Sequence, residues 1–128
     1  MKIEHVALWT RDIEPLREFY VRWFGARANG RYESASTPGF ASYFLTFPEG
    51  GARLELMELP ALHPLAPVHA LGYAHLAISL GSRDAVDALV ARMHEAGVRI
   101  RSGARLTGDG YYEAVIDDPD GNPVEVTI

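Results

Sequence analysis

One internal echo constrains this chain more than any other feature. His5 and His75 are 70 positions apart, and so are Glu55 and Glu125. The contexts match as well as the spacing. Each His opens an alternating stretch, with an Ala two positions later: His5-Val6-Ala7-Leu8-Trp9 and His75-Leu76-Ala77-Ile78-Ser79-Leu80. Each Glu sits between aliphatic residues just after a Gly-containing turn: Leu54-Glu55-Leu56 and Val124-Glu125-Val126. With ten Glu and five His, some coincidental offset is expected. Two pairs, each at an equivalent place, point to a duplicated unit.

The elements between the echoes repeat in the same order. Residues 2–9 alternate as a half-buried strand. Asp12 is placed to cap a helix over 13–24, where Ile13, Leu16, Phe19, Tyr20, Trp23 and Phe24 recur at helical spacing and Gly25 is the stop. Pro15 falls in the first turn, which tolerates a missing N–H. Strands are expected near 27–33, at 40–47 and at 53–58, the last after the turn Pro48-Glu49-Gly50-Gly51. Residues 59–71 carry Pro60, Pro64 and Pro67 and no clear period, so they read as a linker. The second half has a strand at 73–80, a Ser82 cap, and a helix near 83–96 with Val86, Leu89, Val90 and Met93 inward and Gly97 at its end. Strands follow at 98–102, 111–117 and 123–127, the last after Asp118-Pro119-Asp120-Gly121. Each half is β-α-β-β-β: module 1 about 1–58, linker 59–71, module 2 about 72–128, together one domain.

Composition excludes several functions. With 128 residues and 48% hydrophobic content the chain can bury a sizeable core. A net charge of −5 without a basic block argues against nucleic acid and anionic membrane surfaces as partners. No apolar run nears the roughly 18 residues of a membrane span. The N-terminus enters a strand at once and lacks the regions of a signal peptide. Without cysteine there is no disulfide, thiolate zinc site or cysteine nucleophile. The cytoplasm is the expected location. Gly108-Asp109-Gly110 lacks the Lys and helix start of a phosphate loop, and no nucleophile elbow is present.

The alternation puts His5, Glu55, His75 and Glu125 on the faces opposite their aliphatic neighbours. If a pseudo-twofold axis relates the halves, two imidazoles and two carboxylates converge. Neighbouring buried carboxylates repel and take up protons unless a cation neutralises them. A divalent ion removes that cost, and two neutral nitrogens with two anionic oxygens balance its charge. Glu4, Glu58 and Glu113 read as solvated or paired charges, and His63, His69 and His94 as solvent-facing. Trp9 divides evenly between pocket wall and core; Trp23, Phe19, Phe24 and Tyr20 read as core. If 111–117 is a strand, one of Tyr111 and Tyr112 must face the cavity.

These segments together resemble the vicinal oxygen chelate superfamily, the glyoxalase / bleomycin-resistance / extradiol dioxygenase group. The resemblance rests on His5-Val6-Ala7-Leu8 with Asp12 and the helix end Phe19-Tyr20-Val21-Arg22-Trp23-Phe24-Gly25. It rests equally on Leu54-Glu55-Leu56, Gly72-Tyr73-Ala74-His75-Leu76-Ala77 and Asp118-Pro119-Asp120-Gly121-Asn122-Pro123-Val124-Glu125. It implies an α+β fold of two tandem βαβββ modules forming a pseudo-twofold curved sheet, a small-molecule substrate and a homodimer. The linker leaves open whether both halves of a site come from one chain or from two.

The His/Glu/His/Glu set is most similar to glyoxalase I, whose six-coordinate metal is zinc in some members and nickel or cobalt in others; the ligand set alone also admits manganese or iron. The resemblance implies metal ligation by His5, Glu55, His75 and Glu125, and an enediolate formed from a substrate with vicinal oxygens. It implies Glu125 as the base, and Glu55 as the lasting ligand or the other proton carrier. Bacterial glyoxalase I carries a glutathione-holding Arg four residues after the first His and an Asn four after the first Glu. Trp9 and Leu59 stand there in this chain, and Trp9 points to an apolar or aromatic substrate wall. The alternatives are a non-catalytic drug-sequestering binder, which needs no metal, and an iron-dependent extradiol dioxygenase, against which the fourth ligand argues.

Overall fold

The computed structural model describes residues 2–64, 71–108 and 110–128. The chain divides into two compact units, Met1–Leu65 and Ala66–Ile128. The first contains β1 (His5–Thr10), α1 (Ile13–Phe24), β2 (Arg27–Ala28), β3 (Tyr32–Glu33), β4 (Ala41–Thr46) and β5 (Arg53–Glu58). Its sheet runs β1-β5-β4-β2, with β3 also on β4. The second contains β6 (Leu76–Ser79), α2 (Arg83–Glu95), β7 (Ile100–Leu106), β8 (Tyr112–Asp117) and β9 (Pro123–Thr127), in the order β6-β9-β8-β7. In each unit the first strand lies at the sheet edge, parallel to the last strand, and the other pairings are antiparallel. This is a mixed α+β architecture.

Helix α1 has the expected bounds, for the expected reasons. The Asp12 carboxylate accepts from Glu14 N–H, and Gly25 closes the C-terminus at φ 64°, in the left-handed region where glycine carries no Cβ penalty. Glu58, at the end of β5, adds a second N-terminal tie by accepting from Ile13 N–H at 3.3 Å. The apolar stripe Ile13, Leu16 and Tyr20 is fully buried, as are Leu45 and Leu56. Trp23 departs from the expectation of a core residue. It sits half-buried at the rim of the stripe, with the Arg22 guanidinium 4.8 Å from its ring. In the second unit Ser82 caps α2 through Ala85 N–H. Val86, Leu89 and Met93 are buried, together with Ala114, Ile116, Val124 and Val126, while Val90 is only half-buried.

The first strand, expected over 2–9, begins only at His5 and runs to Thr10, and three others differ from expectation. The strand expected over 27–33 is two short pieces, because the Asn29 side chain intervenes. Asn29 N–H donates to the Phe44 carbonyl, and its Oδ1 accepts from Phe44 N–H at 2.7 Å, in place of a main-chain acceptor. The strand expected over 98–102 continues to Leu106, passing Gly103 with register shifts between Ile100 and Ser102 and between Ser102 and Arg105. A glycine inside a strand marks such an irregularity.

The strand expected over 73–80 is shorter, Leu76–Ser79. Leu76 pairs with Val124, so the ladder would next reach Pro123 beside His75, and proline has no N–H to give. At the equivalent place in the first unit Arg53 N–H donates to the Glu4 carbonyl at 2.9 Å, and β1 includes His5.

The final turn is held by Asp118. One carboxylate oxygen accepts from Asp120 N–H and Asn122 N–H, and the other from the Asn122 side chain. Of the linker 59–71, residues 59–64 and 71 are described and contain no helix or strand. His69 and Asp109, both weighed from sequence, lie outside the described residues. Among the described residues no helix is long and apolar enough to cross a membrane.

Candidate metal centre

The sequence echo becomes a register. β1 and β5 run parallel with Ala7 opposite Glu55, and β6 and β9 run parallel with Ala77 opposite Glu125. In each unit the His lies two residues before that Ala, on the same face. The Glu is therefore its diagonal neighbour across the pair, with only a methyl group between them. His5 Nε2 lies 3.7 Å from a Glu55 carboxylate oxygen, and His75 Nε2 lies 3.4 Å from one of Glu125. The Glu side chains are largely covered (17% and 15% exposed), whereas the His rings are open (41% and 45%). Leu54, Leu56, Val124 and Val126, which flank the two Glu, are all buried on the other face.

The donor chemistry fits a divalent ion. Nitrogen and oxygen ligands bound at zinc distances lie about 3.0 Å apart in octahedral and about 3.4 Å apart in tetrahedral geometry. The two observed separations are close to that spacing, with Nε2 nearest the carboxylate in both units. Each unit has one such pair. Among the described residues no group of three or more His, Asp or Glu side chains is arranged to hold a metal.

The surroundings of the pairs differ. In the second unit Glu113 on β8 shares the Glu125 face: Val115 is opposite Glu125, and Glu113 is two residues before it. Burial raises the Glu125 pKa, and the nearby Glu113 carboxylate raises it further, while His75 and Arg105 act the other way. Arg105 donates to Glu113 at 3.1 Å and to Ser102 at 2.6 Å. Tyr112 turns to the helix side, where its hydroxyl donates to Asp87, and Tyr111 lies before β8 and is exposed.

In the first unit Glu4 accepts from His5 Nδ1, and Arg53 donates to the other Glu4 oxygen. The His5 hydrogen bond lowers the Glu4 pKa. The Phe44 ring meets His5 edge-on at 5.4 Å and carries the Arg53 guanidinium at 4.2 Å. Trp9 is 47% exposed on the His5 face. It starts an aromatic row with Phe40 at 6.2 Å, which in turn meets Tyr32 at 6.3 Å.

Glu58 lies on the helix side, as its parity requires, and serves the α1 N-terminus. His63 and His94 are exposed. Sequence reasoning passed over Glu4 and Glu113 as ordinary paired charges. Both are paired, but each also touches one of the four candidate ligands. For Glu113 parity gives the face it shares with Val115, and the β8–β9 register brings that face beside Glu125.

A profile of the Glyoxalase/Bleomycin resistance protein/Dioxygenase superfamily matches residues 2–126. The chain belongs to this superfamily. Solved structures of the same fold include a glyoxylase/bleomycin resistance protein/dioxygenase domain from Frankia sp. EAN1pec, at 19% identity and a TM-score of 0.84, covering 100% of this chain and 97% of that one. A glyoxalase family protein from Enterococcus faecalis matches at 24% identity and a TM-score of 0.80, covering 99% and 97%. The trypanothione-dependent glyoxalase I of Leishmania major matches at 22% identity and a TM-score of 0.77, covering 99% and 86%. At these identities the likeness is one of fold. No curated protein sequence matches the chain significantly.

Proposed function

We propose that the protein is a metal-dependent lyase or isomerase of the glyoxalase I type, acting on a small substrate with two adjacent oxygens. His5, Glu55, His75 and Glu125 are its ligands for a divalent ion, with zinc, nickel and cobalt the candidates that suit this donor set. The observation carrying the reading is the duplicated diagonal pair, with Nε2 facing a carboxylate oxygen at 3.7 Å in one unit and 3.4 Å in the other. In this reading the chain is one domain of two modules that acts as a cytosolic homodimer.

When bound, the ion supplies Lewis-acid polarisation of the substrate oxygens. Glu125 removes a proton from one carbon and returns it to the next. Its raised pKa, from burial and Glu113, suits a base that must also give the proton back. Glu55 stays a ligand. Trp9, with Phe40 and Tyr32, accommodates an apolar or aromatic part of the substrate, and Trp9 and Leu59 replace the residues that hold glutathione in bacterial glyoxalase I.

The test is metal analysis of protein purified without chelator and then reconstituted. A stoichiometric divalent ion is expected, and its absence sinks the reading. Glu125→Gln should keep much of the metal yet lose about 10²–10⁴-fold in turnover of hemithioacetals. Unchanged turnover removes Glu125 as the base. Oxygen uptake with a catechol would instead indicate the dioxygenase chemistry of this superfamily.

A further inference from the structure

The two His are not equivalent beyond the echo. Glu4 precedes His5, whereas Ala74 precedes His75. Arg53 is the β5 register partner of His5, and Pro123 is in the corresponding place beside His75. From these differences we infer that Glu4 is a positioning residue, fixing the tautomer and orientation of His5 so that its Nε2 lone pair faces Glu55. This deepens the metal reading and rests on it for its functional consequence.

An ionised carboxylate only accepts. The 2.5 Å contact between His5 Nδ1 and a Glu4 oxygen therefore places a proton on Nδ1. In the neutral ring Nε2 is then left bare, and this is the nitrogen 3.7 Å from Glu55. Glu4 is itself held. Arg53 donates to its second oxygen from Nε at 2.9 Å and from Nη2. Each carboxylate oxygen thus has its own partner, and the group cannot swing away without breaking one of them. The Arg53 guanidinium rests on Phe44, whose ring also meets His5 edge-on. Backbone bonding adds a further tie, since Arg53 N–H donates to the Glu4 carbonyl. Such outer carboxylates raise the basicity of a ligating imidazole and set its ring plane. His75 has no acid beside it in sequence.

The test is ring ¹⁵N spectroscopy of metal-free protein at about pH 8, above the ordinary imidazole pKa. His5 should show the Nδ1–H tautomer. Glu4→Ala should shift it towards Nε2–H with His75 unchanged, and Glu4→Gln should largely restore it, because a carboxamide oxygen also accepts. Zinc titration of the same proteins should show affinity falling about 10–100-fold in Glu4→Ala and less in Glu4→Gln. A wild-type His5 carrying its proton on Nε2, or on both nitrogens, overturns the inference. So does a Glu4→Ala spectrum identical to wild type. If the tautomer pattern is as expected but zinc fails to bind the wild type, the positioning stands and the metal reading falls.

Discussion

Neighbouring residues on β5 should separate stability from metal binding. Leu56 is 0% exposed and packs on the helix side. Leu56→Ala removes three carbons, a transfer loss of about 2.4 kcal/mol at about 0.8 per carbon. The cavity left behind raises the total to about 3–5 kcal/mol. At roughly 4 °C per kcal/mol for a chain of this size, the melting temperature should fall by roughly 12–20 °C. Glu55 is adjacent but faces the other way, so in metal-free protein Glu55→Gln should stay within about 0.5 kcal/mol of wild type. Zinc narrows the gap between the two variants. At one hundred times its Kd, a ligand that binds only the folded state adds about 2.7 kcal/mol, or roughly 10 °C here. Wild type and Leu56→Ala should both gain it from their different baselines, and Glu55→Gln should lose most of it. Melts followed by circular dichroism, with chelator and with zinc, measure all six states. A wild-type zinc response in Glu55→Gln would refute Glu55 as a ligand. A cost below about 1 kcal/mol for Leu56→Ala would refute the assignment of faces.

Asp118→Ala leaves Asp120 N–H, Asn122 N–H and the Asn122 amide without their acceptor, and should cost about 1–3 kcal/mol by urea denaturation. Burial raises the Asp118 pKa above its ordinary 3.8. Its titration therefore contributes stability that is fully present below pH 3.8 and lost as pH rises through the folded value, so the gap from Asp118→Ala should narrow towards neutrality. Glu14 has the opposite sign. Burial opposes its ionisation, but hydrogen bonds from Tyr43 and Arg31 prevail and lower its pKa below 4.5. Its contribution is present above pH 4.5 and lost as pH falls through the folded value, so the difference from Glu14→Gln, below about 1 kcal/mol for an exposed network, should vanish in acid. Asn29→Ala deprives Phe44 N–H of its acceptor, and amide exchange at Phe44 should quicken with a loss of about 0.5–1.5 kcal/mol.

The parts of this fold that were legible in sequence are those where one period governs. Helix α1 and strands β5 and β9 have their expected bounds because Asp12, Gly25 and the two turns before the strands punctuate clean patterns. The strand breaks were illegible because they depend on a residue elsewhere. Asn29 interrupts its strand by bonding to Phe44, and β6 stops short of His75 because Pro123 is its neighbour across the ladder. Alternation put each His and Glu opposite its aliphatic neighbours, and the echo matched them between the halves; that His5 lies beside Glu55 and His75 beside Glu125 came from the strand register. The setting of the pairs was not legible either. Whether Glu113 reaches Glu125, and which oxygen of Glu4 serves His5, depends on cross-strand register and rotamers, which no single-strand pattern encodes.

The two units agree most where the geometry is most demanding. A diagonal His–Glu pair on parallel strands requires a small residue opposite the Glu, and alanine fills that place twice, at Ala7 and Ala77. Leucine there would lie between imidazole and carboxylate, so Ala7→Leu should break the pair while leaving the buried face of β1 untouched. The units diverge one residue before each His. There Glu4 with Arg53 ties down one ring, while Ala74 and Pro123 offer the other no equivalent tie among the described residues. The rings should therefore differ in mobility in the metal-free protein, with His75 broader than His5 in rotamer distribution by side-chain relaxation. In the proposed reaction a base must take and return a proton, a role that suits Glu125, which Glu113 already crowds. In the same proposal His5, whose ring Glu4 holds, is suited to keep the ion. The donors match between the halves, and the residues just outside the echo give them different surroundings.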